Sequence, residues 1–165
     1  MFDVESVEIS RPYLAAGKHL VTVDSYSTGT TSTGNTYIDV IYHSEDYAQL
    51  RHRYIFSERS APVQLGLMLR QVVAARGCSL AEAKELLSKA SSAEELGDRF
   101  LDAMKSQKLG VVVYNKAVNG RVFGNLDETQ FSNEKNFGTL EYDPRNNQVA
   151  PQAVVKPLGM FDQLG

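Results

Sequence analysis

The chain has 165 residues, 42% of them hydrophobic and 22% charged, with a net charge of −3. That is enough for one domain with a buried core, and it excludes a disordered or collagen-like chain. Charge is spread evenly, with 7 basic against 8 acidic groups in residues 1–77, then 5 against 6 in both 78–108 and 109–165. This argues against a protein that coats nucleic acid by bulk charge, but leaves room for a local basic groove.

The first element is a strand-like run, Leu20-Val21-Thr22-Val23, and Thr36 to Tyr42 repeats its β-branched and aromatic alternation. Between them lies YSTGTTSTGNTY, Tyr26 to Tyr37, one letter from the phosphate loop G-x-x-x-x-G-K-[ST]. Asn35 stands where that loop needs a lysine ammonium on the phosphates, and a strand follows where the loop needs a helix. The stretch is therefore expected to be a hairpin tip, its glycines supplying positive φ.

A third strand, Gln49–Phe56, follows the polar turn SEDYA. Ser60-Ala61-Pro62 then opens a helix with Leu65, Leu69, Val72 and Val73 as its apolar stripe, ending at Gly77. Ser79–Glu82 and Ser92–Glu95 are capping boxes for two more helices, the last with Leu96, Phe100, Ala103 and Met104 on one face. Leu109–Tyr114 and Arg121–Leu126 return to strand period around the Asn119-Gly120 turn. After Asp127 the chain is polar, with a turn at DPRNNQ and an end, PQAVVKPLGMFDQLG, expected as an arm or tail.

Three strands, helices, then a hairpin is the order of an OB-fold, the five-stranded Greek-key barrel; a different α+β sandwich has the same order. The expected organisation is an all-β core, α+β overall. An OB domain spans 1–126, with its helical insert at about 60–106 between strands three and four, and an extension spans 127–165.

Strand alternation makes Ile38 and Val40 inward and Tyr37, Asp39, Ile41 and His43 outward. Leu50, His52, Tyr54 and Phe56 share one face of the third strand, with Arg51, Arg53 and Ile55 on the other. Leu50 to Arg59 holds three arginines against one glutamate. Arg51, Arg53 and Arg59 beside Tyr37 and His43 suit single-stranded nucleic acid, with guanidiniums on phosphates and rings under bases. Lys18, Tyr26, Lys116, Arg121 and Phe123 would extend the groove from the two hairpins. The competing reading is a solvated face whose arginines pair across strands with carboxylates such as Asp39.

Enzyme signatures are missing. His19, His43 and His52 form no metal-ligand spacing, no serine sits in a nucleophile elbow, and Asp39 and His43 are about 13 Å apart on a strand. Lone Cys78 rules out an internal disulfide framework and a cysteine-rich zinc site. No catalytic residue, metal or cofactor is expected. No run approaches a membrane span, and MFDVESVEIS is acidic and polar, unlike a secretory leader. A cytoplasmic location without a membrane partner is the expectation.

With Gly17–Val21, TSTGNTYI (residues 31–38), Phe56-Ser57 and LGVVVYNKAVNGRVFGNL (residues 109–126) in view, the chain resembles the OB-fold single-stranded DNA-binding proteins of bacteriophages. The resemblance covers roughly residues 13 to 126. It implies a non-enzymatic protein that protects single-stranded DNA during phage replication or recombination, in the host cytoplasm. Many such proteins end in an acidic tail with a terminal aromatic that recruits replication partners. This chain ends GMFDQLG, with only Asp162 and an internal Phe161, which leaves the helical insert as the candidate surface for a partner or a second subunit. The alternative function is a protein-interaction or assembly subunit built on an OB-like scaffold.

Overall fold

β-Branched and aromatic residues in alternation build the first three strands of the computed structural model, which describes residues 13–149. These are β1 (Gly17–Thr30), β2 (Thr36–Ser44) and β3 (Gln49–Phe56). Helices α1 (Ala61–Arg76), α2 (Leu80–Leu87) and α3 (Ala93–Met104) follow, then β4 (Leu109–Val118) and β5 (Arg121–Leu126). The β1–β2 connection is a hairpin tip in which Gly34, at φ +89°, donates its N–H to Thr31 O at 2.9 Å. Gly29 belongs to β1 itself, so the phosphate-loop spacing bridges a strand and a turn.

The strands form one antiparallel sheet in the order β3-β2-β1-β4-β5, with α1–α3 packed on its inner face. The expected closed barrel is corrected here: β3 and β5 are the two edges, and no ladder joins them. The edges nevertheless approach at one point. A β-carbon on Gly124 would lie 3.3 Å from Leu50 Cδ1 and 3.5 Å from the carbonyl oxygen of Leu14. Leu14, 2% exposed, donates its N–H to Gln49 O at 3.0 Å and so plugs that end of the seam. A glycine at 124 lets the two edges meet over a buried leucine instead of through hydrogen bonds.

A bulge in β1 divides the molecule's surfaces. Val23 pairs with Tyr42 and Ser25 with Ile41, so Asp24 is the extra residue and side-chain parity switches there. Before the bulge Lys18, Leu20 and Thr22 face outward; after it Ser25, Ser27 and Gly29 do, while Tyr26 and Thr28 turn to the helices. Residues 127–149 cover the outer side of β4. Phe137, Leu140 and Tyr142 pack on Val112 and Tyr114, and Ser132 exchanges backbone hydrogen bonds with Gly110 at 2.7 and 3.1 Å. The DPRNNQ turn is a short 3-10 helix, Pro144–Asn146, capped by Asp143. The terminal stretch with Phe161 and Asp162 lies outside the described residues.

Inside, Ile38, Val40, Tyr42, Tyr54, Met68 and Val72 are completely buried. The α3 face falls on Leu96, Phe100, Ala103 and Met104 as the periodicity predicts, whereas α1 buries Leu67, Met68, Gln71, Val72 and Ala75. The expected α1 stripe is thus rotated: Leu65 is 37% exposed. Gln71 is buried because three side chains close a ring. Tyr42 Oη donates to Gln71 Oε1 at 2.7 Å, Gln71 Nε2 donates to Tyr54 Oη at 2.6 Å, and Tyr54 Oη is left to donate to Tyr42 Oη at 2.6 Å. Each donor is satisfied, as a dry core requires. Both serine caps form, with Ser79 Oγ accepting from Glu82 N and Ser92 Oγ from Glu95 N, while the reciprocal half of the box is displaced at α3, where Glu95 Oε2 accepts from Ser91 N.

His52 is the titratable flaw in this core. Its ring meets Tyr54 edge-on at 4.6 Å, and its nearest carboxylate oxygen, Glu128 Oε1, is 3.7 Å from Nε2. Burial pushes the imidazole down to about 4, against the opposing pull of Asp39. Between the free value of 6.5 and that lowered one, the unfolded chain binds a proton that the folded chain refuses. Stability is therefore full above the free value and falls as pH drops toward 4, by up to about 3 kcal/mol. Melting curves from about pH 7.5 to 4.5 will show the midpoint falling for wild type and falling less for His52→Gln; parallel curves would assign the acid sensitivity elsewhere.

Candidate nucleic-acid interface

The β2–β3 register sets the outward face: Tyr37 lies opposite Ile55, Asp39 opposite Arg53, Ile41 opposite Arg51 and His43 opposite Gln49. Directly paired residues in an antiparallel ladder share a face, so Tyr37, His43, Arg51 and Arg53 stand on one side. β1 adds Gly29, Ser27 and Ser25 beside Tyr37, Asp39 and Ile41. From Tyr37 to His43 the face runs ~20 Å along the strand.

At its centre is a three-residue unit. Arg53 Nε donates to Asp39 Oδ1 at 2.8 Å and Nη2 donates to Oδ2 at 2.9 Å, a bidentate pair. The Asp39 side chain is 6% exposed and that of Arg53 43%. The carboxylate raises the guanidinium pKa. The guanidinium carbon lies 3.8 Å from the centroid of the Tyr37 ring, and that ring lies across Gly29, on the space a β-carbon there would fill. The unit joins both readings of Arg53: it pairs across strands with Asp39, and it forms a flat layer with Tyr37.

Arg51 is exposed and has no hydrogen-bond or ion-pair partner among the described residues; the same holds for Arg59, in the turn between β3 and α1. At the far end, His43 Nε2 is 2.9 Å from Thr22 Oγ1, Nδ1 is 3.7 Å from Asp24 Oδ1, and the ring lies nearly parallel to Tyr47 at 6.3 Å.

The remaining candidates separate. Tyr26 is not on this face: the bulge turns it to α3, where its ring lies over Gly97 and its hydroxyl donates to Glu94 O at 2.9 Å and Asp98 Oδ1 at 2.5 Å. The Asp98 bond pushes the phenol up to about 12. Lys18 reaches the C-terminal extension, its Nζ 5.1 Å from the Phe137 ring centroid. Lys116 pairs with Phe123 and Arg121 with Val118 on the β4–β5 hairpin, with Phe123 45% exposed. Phe123 is the neighbour of Gly124 and Arg51 of Leu50, so the two flank the seam from opposite banks.

Two residues of this surface escaped the sequence reading. Tyr47, 64% exposed with φ of 62° in the SEDYA turn, had a visible signal: an aromatic in a polar turn. Gly29 had none, since its importance comes from what lies across the sheet, whereas Asp39 was legible as outward and as a cross-strand partner for the arginines, and it is the partner of Arg53. Among the described residues no group of three or more His, Cys, Asp or Glu is placed to hold a metal ion, and no described helix is long and apolar enough to cross a membrane. No protein-family model and no curated protein matches this sequence.

The Tyr37–Arg53 layer depends on the bare backbone at Gly29, which is ordinary extended strand and so accepts a side chain conformationally. Gly29→Val will keep the fold, since valine suits a strand, but will lift Tyr37 off β1. Ring-current shifts on the Arg53 side-chain protons will collapse toward free-arginine values while the melting midpoint moves by only a few degrees. Unchanged shifts would show that the ring does not depend on that gap.

Proposed function

We propose that this protein binds single-stranded DNA without reading its sequence, as a non-enzymatic factor in phage DNA replication or recombination in the host cytoplasm. The observation that carries the reading is the open outward face of β2 and β3, where Arg51, Arg53, Tyr37 and His43 stand together. Guanidiniums for phosphates and planar groups for bases are the chemistry that single strands need and that a duplex, with its bases stacked inside, cannot use. The strand order supports an OB-like barrel opened along the β3–β5 seam, with α1–α3 where that fold keeps its capping helix. Phe123, Lys116 and Arg121 on the β4–β5 hairpin extend the same surface across the seam.

A second reading, an assembly or interaction subunit, has one observation in its favour: Val63, Leu65, Leu80 and Leu86 on α1 and α2 are between 37% and 64% exposed. Anisotropy with labelled oligo-dT and a duplex of equal length ranks the two. Single-strand binding will exceed duplex binding, weaken with salt, and drop about tenfold or more in the Arg51→Ala/Arg53→Ala double variant, the scale expected for losing a stacked base and a phosphate contact. Binding unaltered by the double variant would remove the site, and no binding with a stable oligomer in sedimentation would favour the second reading.

A further inference from the structure

An acid at the centre of a phosphate-binding face works against binding unless it serves geometry. Asp39 is such an acid: its side chain is 6% exposed, it lies between Ser27 on β1 and Arg53 on β3, and both of its oxygens accept from Arg53. A guanidinium held along two N–H bonds to one carboxylate is fixed in its plane and spends its charge locally. Here the plane is also laid on Tyr37, 3.8 Å from the ring centroid, and that ring rests over Gly29. Sheet backbone, ring and guanidinium thus form a layered stack with Arg53 still 43% exposed.

We propose that Asp39 is a positioning residue that converts Arg53 from a phosphate-neutralising cation into a fixed flat surface for a nucleobase, leaving phosphate contact to Arg51 and Arg59. This rests on the reading that the face takes single-stranded DNA, and it specifies how. Bases stack on guanidinium planes as well as on aromatic rings, and Arg53 has two donors bound to Asp39 that a phosphate would otherwise claim. Arg51 and Arg59 carry no such partner among the described residues. The face therefore holds by stacking more than by counterion release. Arg51 and Arg59 together contribute about −1.4 to the slope of log affinity against log salt, at roughly −0.7 per contact on single strands, and Arg53 contributes none.

The test sets geometry against charge, because the two predict opposite signs for Asp39→Asn. On charge alone, removing a carboxylate from the face tightens DNA binding. On the present inference, at about 0.2 M salt Asp39→Asn binds oligo-dT about 5–10-fold more weakly, the scale of a lost base stack. Its salt slope steepens by about 0.7 as the released Arg53 collects a phosphate. An oligonucleotide carrying 2-aminopurine, whose emission is quenched on stacking, loses part of its quenching with this variant. Arg53→Lys keeps the charge and Asp39 but not the plane, and shows the same loss, so it decides the matter if Asp39→Asn does not fold. Equal or tighter binding by a folded Asp39→Asn, or wild-type behaviour of Arg53→Lys, overturns the inference while single-strand binding itself stands. Absence of binding by wild type overturns both.

Discussion

A carboxylate buried on the outer wall of a sheet admits few arrangements, and the Asp39–Arg53 pair is the one on which this surface depends. Left alone, an ionised Asp39 at 4% exposure would incur a desolvation penalty of several kcal/mol. The guanidinium opposite meets it with two short hydrogen bonds, and in doing so fixes its own orientation. Tyr37 lies over Gly29 and against the guanidinium. Four residues from three adjacent strands are thereby tied together by contact, where an arginine on a strand face ordinarily reaches into solvent.

The bulge at Asp24 has comparable reach, because it lets one strand serve two layers. Val21 and Val23 enter the core ahead of it and Tyr26 and Thr28 reach α3 beyond it, where their hydroxyls bond Glu94 and Asp98. Without the bulge the parity of β1 would run through, turning Tyr26 outward and Ser25 and Ser27 toward the helices. The same fact explains where sequence reasoning succeeded and failed. Element order, both serine caps, the α3 face and the outward set on β2 and β3 were legible, since each follows from a local period or a cap. The placement of Tyr26 was not, because a bulge leaves no mark in a run such as TVDSYS.

The other differences share a cause. α1 is apolar almost all round, so its sequence offers several stripes, and the choice falls to Gln71, whose amide completes the Tyr42–Tyr54 ring. A buried glutamine cannot be read from α1 alone. The open sheet is of the same kind: Leu50, Gly124 and Leu14 meet at one point of the seam, and whether two edges pair or merely touch is decided by three separated segments.

The outward face itself is split, and the split bears on function. Over β4 and the first half of β1 the exposed positions would be Leu20, Val112 and Tyr114, and residues 127–149 cover Val112 and Tyr114 with Phe137, Leu140 and Tyr142. Over the second half of β1, β2 and β3 the outward residues are Ser25, Ser27, Asp39, Arg51 and Arg53, with Tyr37 and the half-buried Ile41 among them. Apolar surface of the first kind gains from a covering segment; surface of the second kind loses hydration without equal return. The described part of the extension packs on the first and leaves the second open to solvent. A sheet whose only need was stability would carry more residues like Ile41 and Ile55 on that open half and cover them too. Its serines, arginines and laid-down tyrosine instead suit a partner that brings both charge and flat apolar faces, as the unpaired nucleotide strand of the proposed function would.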